Sequence, residues 1–317
     1  MERGSLILLR THKTQTVAHS FLAASLKGIS QVILIENSIS GLIILAAITI
    51  GNLSLGIITL LSAMIGTWIG IAGGKDRTAA YRGLFGYNSV LTGLALSLFL
   101  SGNFRWVIAL AGAAITALVT AAAMHMMRNI DLPVLTLPYI LFTWFLLLST
   151  FFLERVVLSP ELVPQDLTHW RFISGGAVDW FGGMVNGIGQ VYFQHRLPVS
   201  ILILIAVFWA GWKLGLCAIL GTITALITAY GLGAEEEMLN PGLYGFNAVL
   251  TNMAVAVVFR TAKGIAWFMA IIAAMVTVPI TAGLGVWLAP YGMPILTMPF
   301  VLVTWMFIAA RKTLSKI

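Results

Sequence analysis

Long apolar runs separated by short polar segments dominate the chain. A bilayer core about 30 Å thick needs about 20 apolar residues per helix, and the pattern contains ten such candidates. Each run is almost free of charged side chains, each of which would cost roughly 2.5–3.5 kcal/mol at the bilayer centre. The ten segments are about 38–50, 53–73, 84–100, 105–124, 133–153, 198–212, 214–230, 242–259, 265–288 and 294–310. We therefore predict an all-α polytopic membrane protein with about ten transmembrane helices.

Two further segments are too short and too polar to cross the membrane and return. They lie at about 18–35, before the first span, and at about 173–194, before the sixth. We predict that each is a re-entrant half-helix, one ending near Gln31 and the other near Gln190. Because a helix C-terminus leaves up to four carbonyls without intrahelical partners, the two ends would direct hydrogen-bond acceptors into a cavity at mid-membrane.

The composition supports a membrane protein and excludes other classes. Hydrophobic residues make up 59% and charged residues 9% of the 317 residues, whereas soluble domains are about 45–50% apolar and about 25% charged. This excludes a cytosolic enzyme, a nucleic-acid-binding protein and a secreted disulfide scaffold. The histidines have no metal-ligand spacing and Cys217 is the single cysteine. We expect no metal site, no cofactor and no enzymatic activity.

The positive charges predict the orientation. With the N-terminus in the cytoplasm, 14 of the 18 lysine and arginine residues lie on the inside, as the positive-inside rule requires. Both termini are then cytoplasmic. We expect a multi-pass protein of a bacterial cytoplasmic membrane.

Three motifs occur twice in the same order. The first two pairs are separated by 159 residues (242 minus 83, and 187 minus 28) and the third by 161 (293 minus 132). Three ordered matches at nearly one offset indicate an internal duplication. The paired segments are Gly83–Thr92 with Gly242–Thr251, Gly28–Val32 with Gly187–Val191, and Leu132–Pro138 with Met293–Pro299.

The duplication predicts the domain organisation. Each half contains five spans, and because five is odd the second half is inverted, with a central pore at the interface of the repeats. We expect a cytoplasmic N-terminal segment (1–17), repeat 1 (18–153), an extracytoplasmic linker (154–172), repeat 2 (173–310) and a cytoplasmic C-terminal tail (311–317).

The repeat also places uncharged polar groups at equivalent positions, and these are the candidate pore residues. Acceptors without fixed charge suit a flat, neutral solute rich in N–H groups, while apolar walls exclude hydrated ions. Asn88 and Asn247 are expected to brace the broken helices. Thr136 and Thr297 have an alternative role, in which each hydroxyl bonds a helix carbonyl at a proline break. The predicted acceptors are Gln31, Gln190, Thr136 and Thr297, and the predicted slot walls are Tyr87, Leu91, Phe193, Phe246 and Leu250.

These motifs resemble those of the urea transporter family of bacteria and animals, over nearly the whole chain. The resemblance rests on the Gly-Ile-Ser-Gln-Val segment, the Gly-Leu-Phe-Gly-Tyr-Asn segment with its repeat, and both Pro-x-x-Thr-x-Pro boxes. It implies passive conduction of urea through one pore per subunit of a homotrimer embedded in membrane lipid. It also implies that Thr136 and Thr297 lie at the pore midpoint, and it adds Leu34 to the slot lining.

The chain departs from the family pattern near the predicted pore mouths. Glu36-Asn37-Ser38 stands where the family usually has Asn-Asn-Pro, Leu34 is commonly aromatic in the family, and Gln190 is often acidic. Related small amides and ammonia therefore remain alternative solutes.

An ion-coupled secondary transporter is the competing interpretation. Coupling requires a titratable or ion-binding group at membrane depth, and Glu36 is the sole acidic residue in such a segment. Its partner is left open between Arg196, His195 and the solvent of a vestibule.

Overall fold

The computed structural model describes residues 20–74, 77–169, 176–259 and 266–314. The predicted N-terminal segment 1–17 lies outside these ranges, as do parts of the linker and of the tail. The described residues are 76% helical. Within the described residues, the sheet consists of one antiparallel pair of two-residue strands, β1 (Leu100–Ser101) and β2 (Val157–Leu158). The all-α prediction is confirmed.

The described part of the first half contains seven helices, of which two flank the short loop that carries Gly83. A short 3-10 turn, Arg128–Ile130, joins the last two. The helices are α1 (20–31), α2 (Ser38–Gly51), α3 (Leu53–Gly73), α4 (Thr78–Tyr81), α5 (Gly86–Phe99), α6 (Arg105–Met127) and α7 (Leu137–Ser149).

The described part of the second half has the same order of helices. The matched helices α2 and α9 have 14 residues each, and α6 and α13 have 23 each. A π-helical segment, Ala254–Val258, extends α12, and a 3-10 turn, Ala289–Tyr291, follows α13. The helices are α8 (Trp180–Gly189), α9 (Leu197–Ala210), α10 (Trp212–Gly231), α11 (Glu236–Leu239), α12 (Gly245–Met253), α13 (Ala266–Leu288) and α14 (Met298–Thr313).

A helix overlaps each of the ten segments predicted as spans, but helix length separates them into two groups. By length and composition, α3, α6, α10 and α13 suffice to cross a membrane. The segment formed by α8 and its following 3-10 turn makes a broken pair with α9, bent by 74°, which is a fifth candidate. A 14-residue helix such as α2 is only about 21 Å long, shorter than the bilayer core. The architecture is that of a multi-pass helical membrane protein.

Glycine at four positions lets α1 and α8 lie directly on the loops that precede α5 and α12. Gly83 and Gly242 have φ of +82° and +79°, a conformation that side chains disfavour. A Cβ on Gly83 would lie 2.5 Å from the Gly28 nitrogen, and one on Gly242 would lie 2.2 Å from the Gly187 nitrogen. The repeated glycine motifs therefore allow backbone to pack on backbone at equivalent places in both halves.

The first residues assigned to the C-terminal tail form the last turn of α14. The Arg311 guanidinium donates to the carbonyls of Val255 and Phe259, at 3.2 and 3.0 Å. These contacts satisfy carbonyls in and just after the π-helical segment. The ammonium of Lys312 lies 3.2 Å from the Asp131 carboxylate, so α14 is tied to the turn between α6 and α7.

Candidate functional site

Two buried threonines from equivalent positions meet between the halves. The Oγ1 atoms of Thr136 and Thr297 are 2.7 Å apart, and the residues are only 2% and 3% exposed. Each threonine precedes a helix, α7 or α14, at its N-cap position. The alternative role, in which each hydroxyl bonds a helix carbonyl, is not what the structure has, because the two hydroxyls bond each other.

The sequence explains why these hydroxyls do not cap their own helices. An N-cap side chain normally accepts from the N–H of the second or third helical residue. The second residue is proline in both helices, Pro138 and Pro299, and has no N–H. In α14 the third amide, of Phe300, already donates to Asn247 Oδ1 at 3.1 Å. The Thr-x-Pro motif thereby leaves both hydroxyls available to groups outside their helices.

Asn88 and Asn247 brace the helix breaks, as the sequence predicted. Asn88 Nδ2 donates to the Leu135 carbonyl at 3.3 Å, and Asn247 Nδ2 donates to the Leu296 carbonyl at 3.2 Å. Leu135 and Leu296 have φ of +50° and +56°, which is rare for leucine. The asparagines therefore hold the strained residue that comes directly before each central threonine.

The two asparagines are not equally bonded, and this predicts unequal mutational effects. Asn247 uses both its amide nitrogen and its oxygen, whereas Asn88 Oδ1 has no partner among the described residues. We expect Asn247→Leu to destabilise the protein by about 1 kcal/mol more than Asn88→Leu, the contribution of one additional buried hydrogen bond. Thermal unfolding of the purified variants in detergent measures the difference. Equal losses would contradict the unequal bonding.

Reciprocal tryptophan bonds join the halves around the threonine pair. Trp144 Nε1 donates to the Pro294 carbonyl at 2.8 Å, and Trp305 Nε1 donates to the Pro133 carbonyl at 2.7 Å. Each residue has its counterpart 161 positions later (305 minus 144, and 294 minus 133). Such an exchange of equivalent contacts is the signature of a two-fold relation between the surfaces that meet. Sequence reasoning missed these tryptophans, although the shared offset was a signal for them.

The predicted slot residues belong to one hydrophobic cluster. Tyr87, Leu91 and Leu250 are buried in it, and Leu34, Phe193 and Phe246 pack against it while partly exposed. The Tyr87 hydroxyl donates to the Leu135 carbonyl at 2.5 Å. Leu34 and Phe193, which are equivalent in the repeat, both have positive φ, at +62° and +58°.

Phe99 packs against one of the predicted wall residues, a contact that sequence reasoning missed. Its ring meets that of Phe193 edge to face, with centroids 5.6 Å apart. Nothing in the motifs marked Phe99, because its counterpart 159 residues later is Val258.

The two glutamines occupy equivalent half-buried positions at the ends of α1 and α8. Gln31 Nε2 donates to the Arg82 carbonyl at 3.1 Å, and Gln190 Nε2 donates to the Pro241 carbonyl at 3.2 Å. The amide nitrogens are thus engaged by the loops before α5 and α12. Their amide oxygens, which only accept, take no part in these two bonds.

The carbonyls at the half-helix ends are less available than predicted. The amides of Leu34 and Ile35 bond the carbonyls of Gln31 and Ser30, at 3.0 and 3.1 Å, and the Gln190 carbonyl accepts from Phe193 at 3.0 Å. The left-handed residue at each end folds the chain back onto its own helix, as in common helix C-caps. Because a carbonyl has two lone pairs, those of Gln31 and Gln190 each retain one, whereas the Ser30 carbonyl also accepts from the Ile33 amide at 3.1 Å.

Glu36 pairs with neither of the partners considered from the sequence. Its carboxylate accepts from Lys27 Nζ at 3.1 Å and from Arg82 Nε at 2.9 Å. Arg196 instead donates to the Gly51 carbonyl at 3.3 Å. Glu36 therefore forms a charged cluster with Lys27 and Arg82. The Arg82 carbonyl also accepts the hydrogen bond from the Gln31 side chain.

Two apolar cavities have linings that do not include the central threonines. One, of about 310 Å³, opens between α8 and α10 at Trp180 and Ile223. The other, of about 330 Å³, lies beside Trp144 and Tyr291. Within the part of the chain that the structure describes, no three metal-ligating side chains cluster.

Comparison with known proteins decides the family. The urea transporter family matches residues 22–312. The chain belongs to the urea transporter family. It is similar to urea transporter 1 of sheep, goat and rat, each 27% identical over 305 residues, covering 93% of this chain and 78% of the relative. The resemblance inferred from the motifs is thereby confirmed. In this urea transporter family member the Thr-x-Pro box occurs in both halves, and its two threonines bond each other.

Proposed function

We propose that the protein conducts urea passively across the cytoplasmic membrane of a bacterium. The observation that carries the proposal is the central threonine pair, which offers hydroxyl groups and no fixed charge at a buried position. Urea is flat, neutral and rich in N–H donors, so uncharged acceptors replace its water while apolar walls reject hydrated ions. Membership of the urea transporter family supports the same solute.

The proposed pore runs between two inverted repeats of five spans, 18–153 and 173–310. The reciprocal tryptophan bonds support a two-fold relation between the halves. An odd number of crossings per half requires the two-fold axis to lie in the membrane plane. On this proposal α1 and α8 are re-entrant, residues 154–172 are an extracytoplasmic linker, and both termini are cytoplasmic. Cysteine-accessibility labelling of the linker in intact cells tests the orientation.

The proposed site has a glutamine near each end and the threonines at its centre. Gln31 and Gln190 present amide oxygens to the entering solute, and Thr136 and Thr297 replace its water at the midpoint. The proposed walls of the slot are Leu34, Tyr87, Leu91, Phe193, Phe246 and Leu250. Their shared hydrophobic cluster supports this arrangement.

Flux measurement on purified protein tests the function. We expect proteoliposomes to take up urea in stopped-flow light scattering with no proton or sodium gradient. Parallel runs with acetamide and ammonia resolve the alternative solutes. Urea uptake that requires either ion gradient would overturn the passive proposal.

The pairing of Glu36 gives a prediction against ion coupling. Because Lys27 and Arg82 both hold its carboxylate, Glu36 is engaged as a structural anion. Partly exposed ion pairs contribute only about 0–1 kcal/mol to the stability of a protein. We therefore expect Glu36→Gln to keep its fold and a urea flux within about twofold of the wild type. Flux is measured with and without a proton gradient. A gradient dependence in the wild type that Glu36→Gln abolishes would favour a coupled transporter.

We also propose a homotrimer with one pore per subunit, on the strength of family membership. Native mass spectrometry of the detergent-purified protein measures the number of chains. A monomer or dimer as the dominant species would count against it.

A further inference from the structure

The two ends of the proposed slot differ in one aromatic contact. Leu34 and Phe193 are equivalent residues, 159 positions apart (193 minus 34), and both have left-handed backbone, with φ of +62° and +58°. The ring of Phe193 meets that of Phe99 edge to face, with centroids 5.6 Å apart and an interplanar angle of 82°. The equivalents of this ring pair in the other half are aliphatic, Leu34 and Val258. We call the end of the slot that carries the two rings the Phe193 end.

The ring pair joins the two halves of the chain. Phe99 is the last residue of α5, in the first half, and Phe193 caps the turn that follows α8, in the second. Both side chains pack against the hydrophobic cluster that contains the other predicted wall residues, and both remain partly exposed. Phe99 is therefore a first-half residue that supports a predicted wall residue of the second half.

The backbone that carries Phe99 is held in place by the segment between the halves. The Phe99 carbonyl accepts from the Ser159 amide at 2.8 Å. The next two residues form β1, which pairs with β2, and the first of them, Leu100, is only 1% exposed. The end of α5 is thus fixed, so the Phe99 ring contacts Phe193 from a fixed position.

The edge-to-face contact limits where the Phe193 ring can lie. Aromatic pairs prefer this geometry because the positive edge of one ring faces the negative face of the other. The preference corresponds to about a two- to tenfold bias toward the paired position of the ring. Aliphatic contacts such as those of Leu34 have no preferred direction. A fixed ring keeps the passage narrow, and a solute wider than urea has to displace it.

We propose that Phe99 is a positioning residue that holds the Phe193 ring in place, so that the Phe193 end of the slot selects solutes by their width. The proposal rests on the urea pore proposed above. Urea passes beside the fixed ring, whereas a urea with an alkyl group on one nitrogen has to push the ring away from Phe99. Phe99 acts through Phe193 and need not touch the solute.

The test compares urea with N-methylurea, which keeps the carbonyl group and is wider by one methyl group. We expect Phe99→Leu to raise the methylurea-over-urea flux ratio by about two- to tenfold, the bias that the ring contact supplies. Phe99→Val, which copies the residue of the other half, is a second non-aromatic variant and should raise the ratio as well. Phe99→Tyr keeps the ring at a partly exposed position and should keep the wild-type ratio.

Replacement of Phe193 shows whether Phe99 acts through it. Phe193→Leu copies Leu34 and should itself raise the methylurea-over-urea ratio. Adding Phe99→Leu should then change the ratio no further, because the ring that Phe99 holds is already gone. A further rise in the double variant would mean that Phe99 affects the pore by another route, and it would overturn the positioning role.

Phe142→Leu is the matched control. Phe142 is another partly buried phenylalanine of the same cluster, but its ring packs on α6, 3.1 Å from the position of a Cβ added to Gly112. We expect lower thermal stability with an unchanged solute ratio. An unchanged ratio in Phe99→Leu and Phe99→Val, or an equal rise in Phe142→Leu, overturns the positioning role while urea conduction stands. A wild-type protein that conducts no urea would overturn the proposed function itself, and this proposal with it.

Discussion

Replacing both central threonines with valine is expected to lower urea flux about tenfold or more, because two hydrogen bonds of about 1 kcal/mol each are lost at the midpoint. Valine preserves the shape of threonine, so the width of the passage is kept. Each single replacement leaves one hydroxyl, no longer bonded to a partner threonine, and is expected to reduce flux about three- to fivefold. The measurement is stopped-flow urea uptake, normalised to the amount of reconstituted protein.

The chain offers a matched control on the same two helices. Thr143 and Thr304 are also 161 residues apart, and both are fully buried. Their hydroxyls have no hydrogen-bond partner among the described residues. The double change Thr143→Val with Thr304→Val should leave flux unaltered and stability equal or higher, because it removes two unsatisfied polar groups. If Thr136→Val with Thr297→Val conducts as fast as this control, the central threonines have no part in conduction.

A large loss of stability is expected from alanine at Gly83 or Gly242. Both have positive φ, and an added Cβ would lie 2.5 or 2.2 Å from a backbone nitrogen of the facing half-helix. Backbone cannot move aside as a flexible side chain can, so we expect each variant to lose more than about 3 kcal/mol. The loss of stability is measured as a lower yield of monodisperse protein and a lower thermal unfolding midpoint in detergent.

Gly283→Ala serves as the control for that experiment. Gly283 is inside α13, and no atom lies within 4 Å of an added Cβ. There alanine should be neutral or stabilising by about 0.5–1 kcal/mol, since glycine is entropically unfavourable in a helix. A Gly83→Ala protein as stable as Gly283→Ala would mean that α1 does not press against this loop.

The sequence was sufficient to locate the helices and the central pair. Apolar runs place helices well because the hydrophobic pattern extends over many residues; the predicted segment 53–73 and α3 share their bounds. The repeat located Thr136 and Thr297 because identical residues recur at one offset. Neither argument gives the depth at which a helix ends, so helices such as α7, with 13 residues, are shorter than the spans predicted.

Other contacts between distant residues could not be predicted from the sequence. One of the two partners of Glu36, Arg82, lies in the loop before α5, 46 residues further along the chain. The carbonyls at the ends of α1 and α8 were predicted to face the solute, but backbone turns at Leu34 and Phe193 use part of their bonding capacity. These turns require left-handed conformations at Leu34 and Phe193, which the sequence does not indicate.

The reciprocal tryptophan bonds also bear on how the protein is made. The Trp144 indole finds its acceptor on Pro294, which the ribosome adds 150 residues later. At about 5–20 residues per second this takes roughly 8–30 seconds. Throughout that interval the surface of the first half that will contact the second half has no partner. The two halves can associate only after translation has reached nearly the last helix.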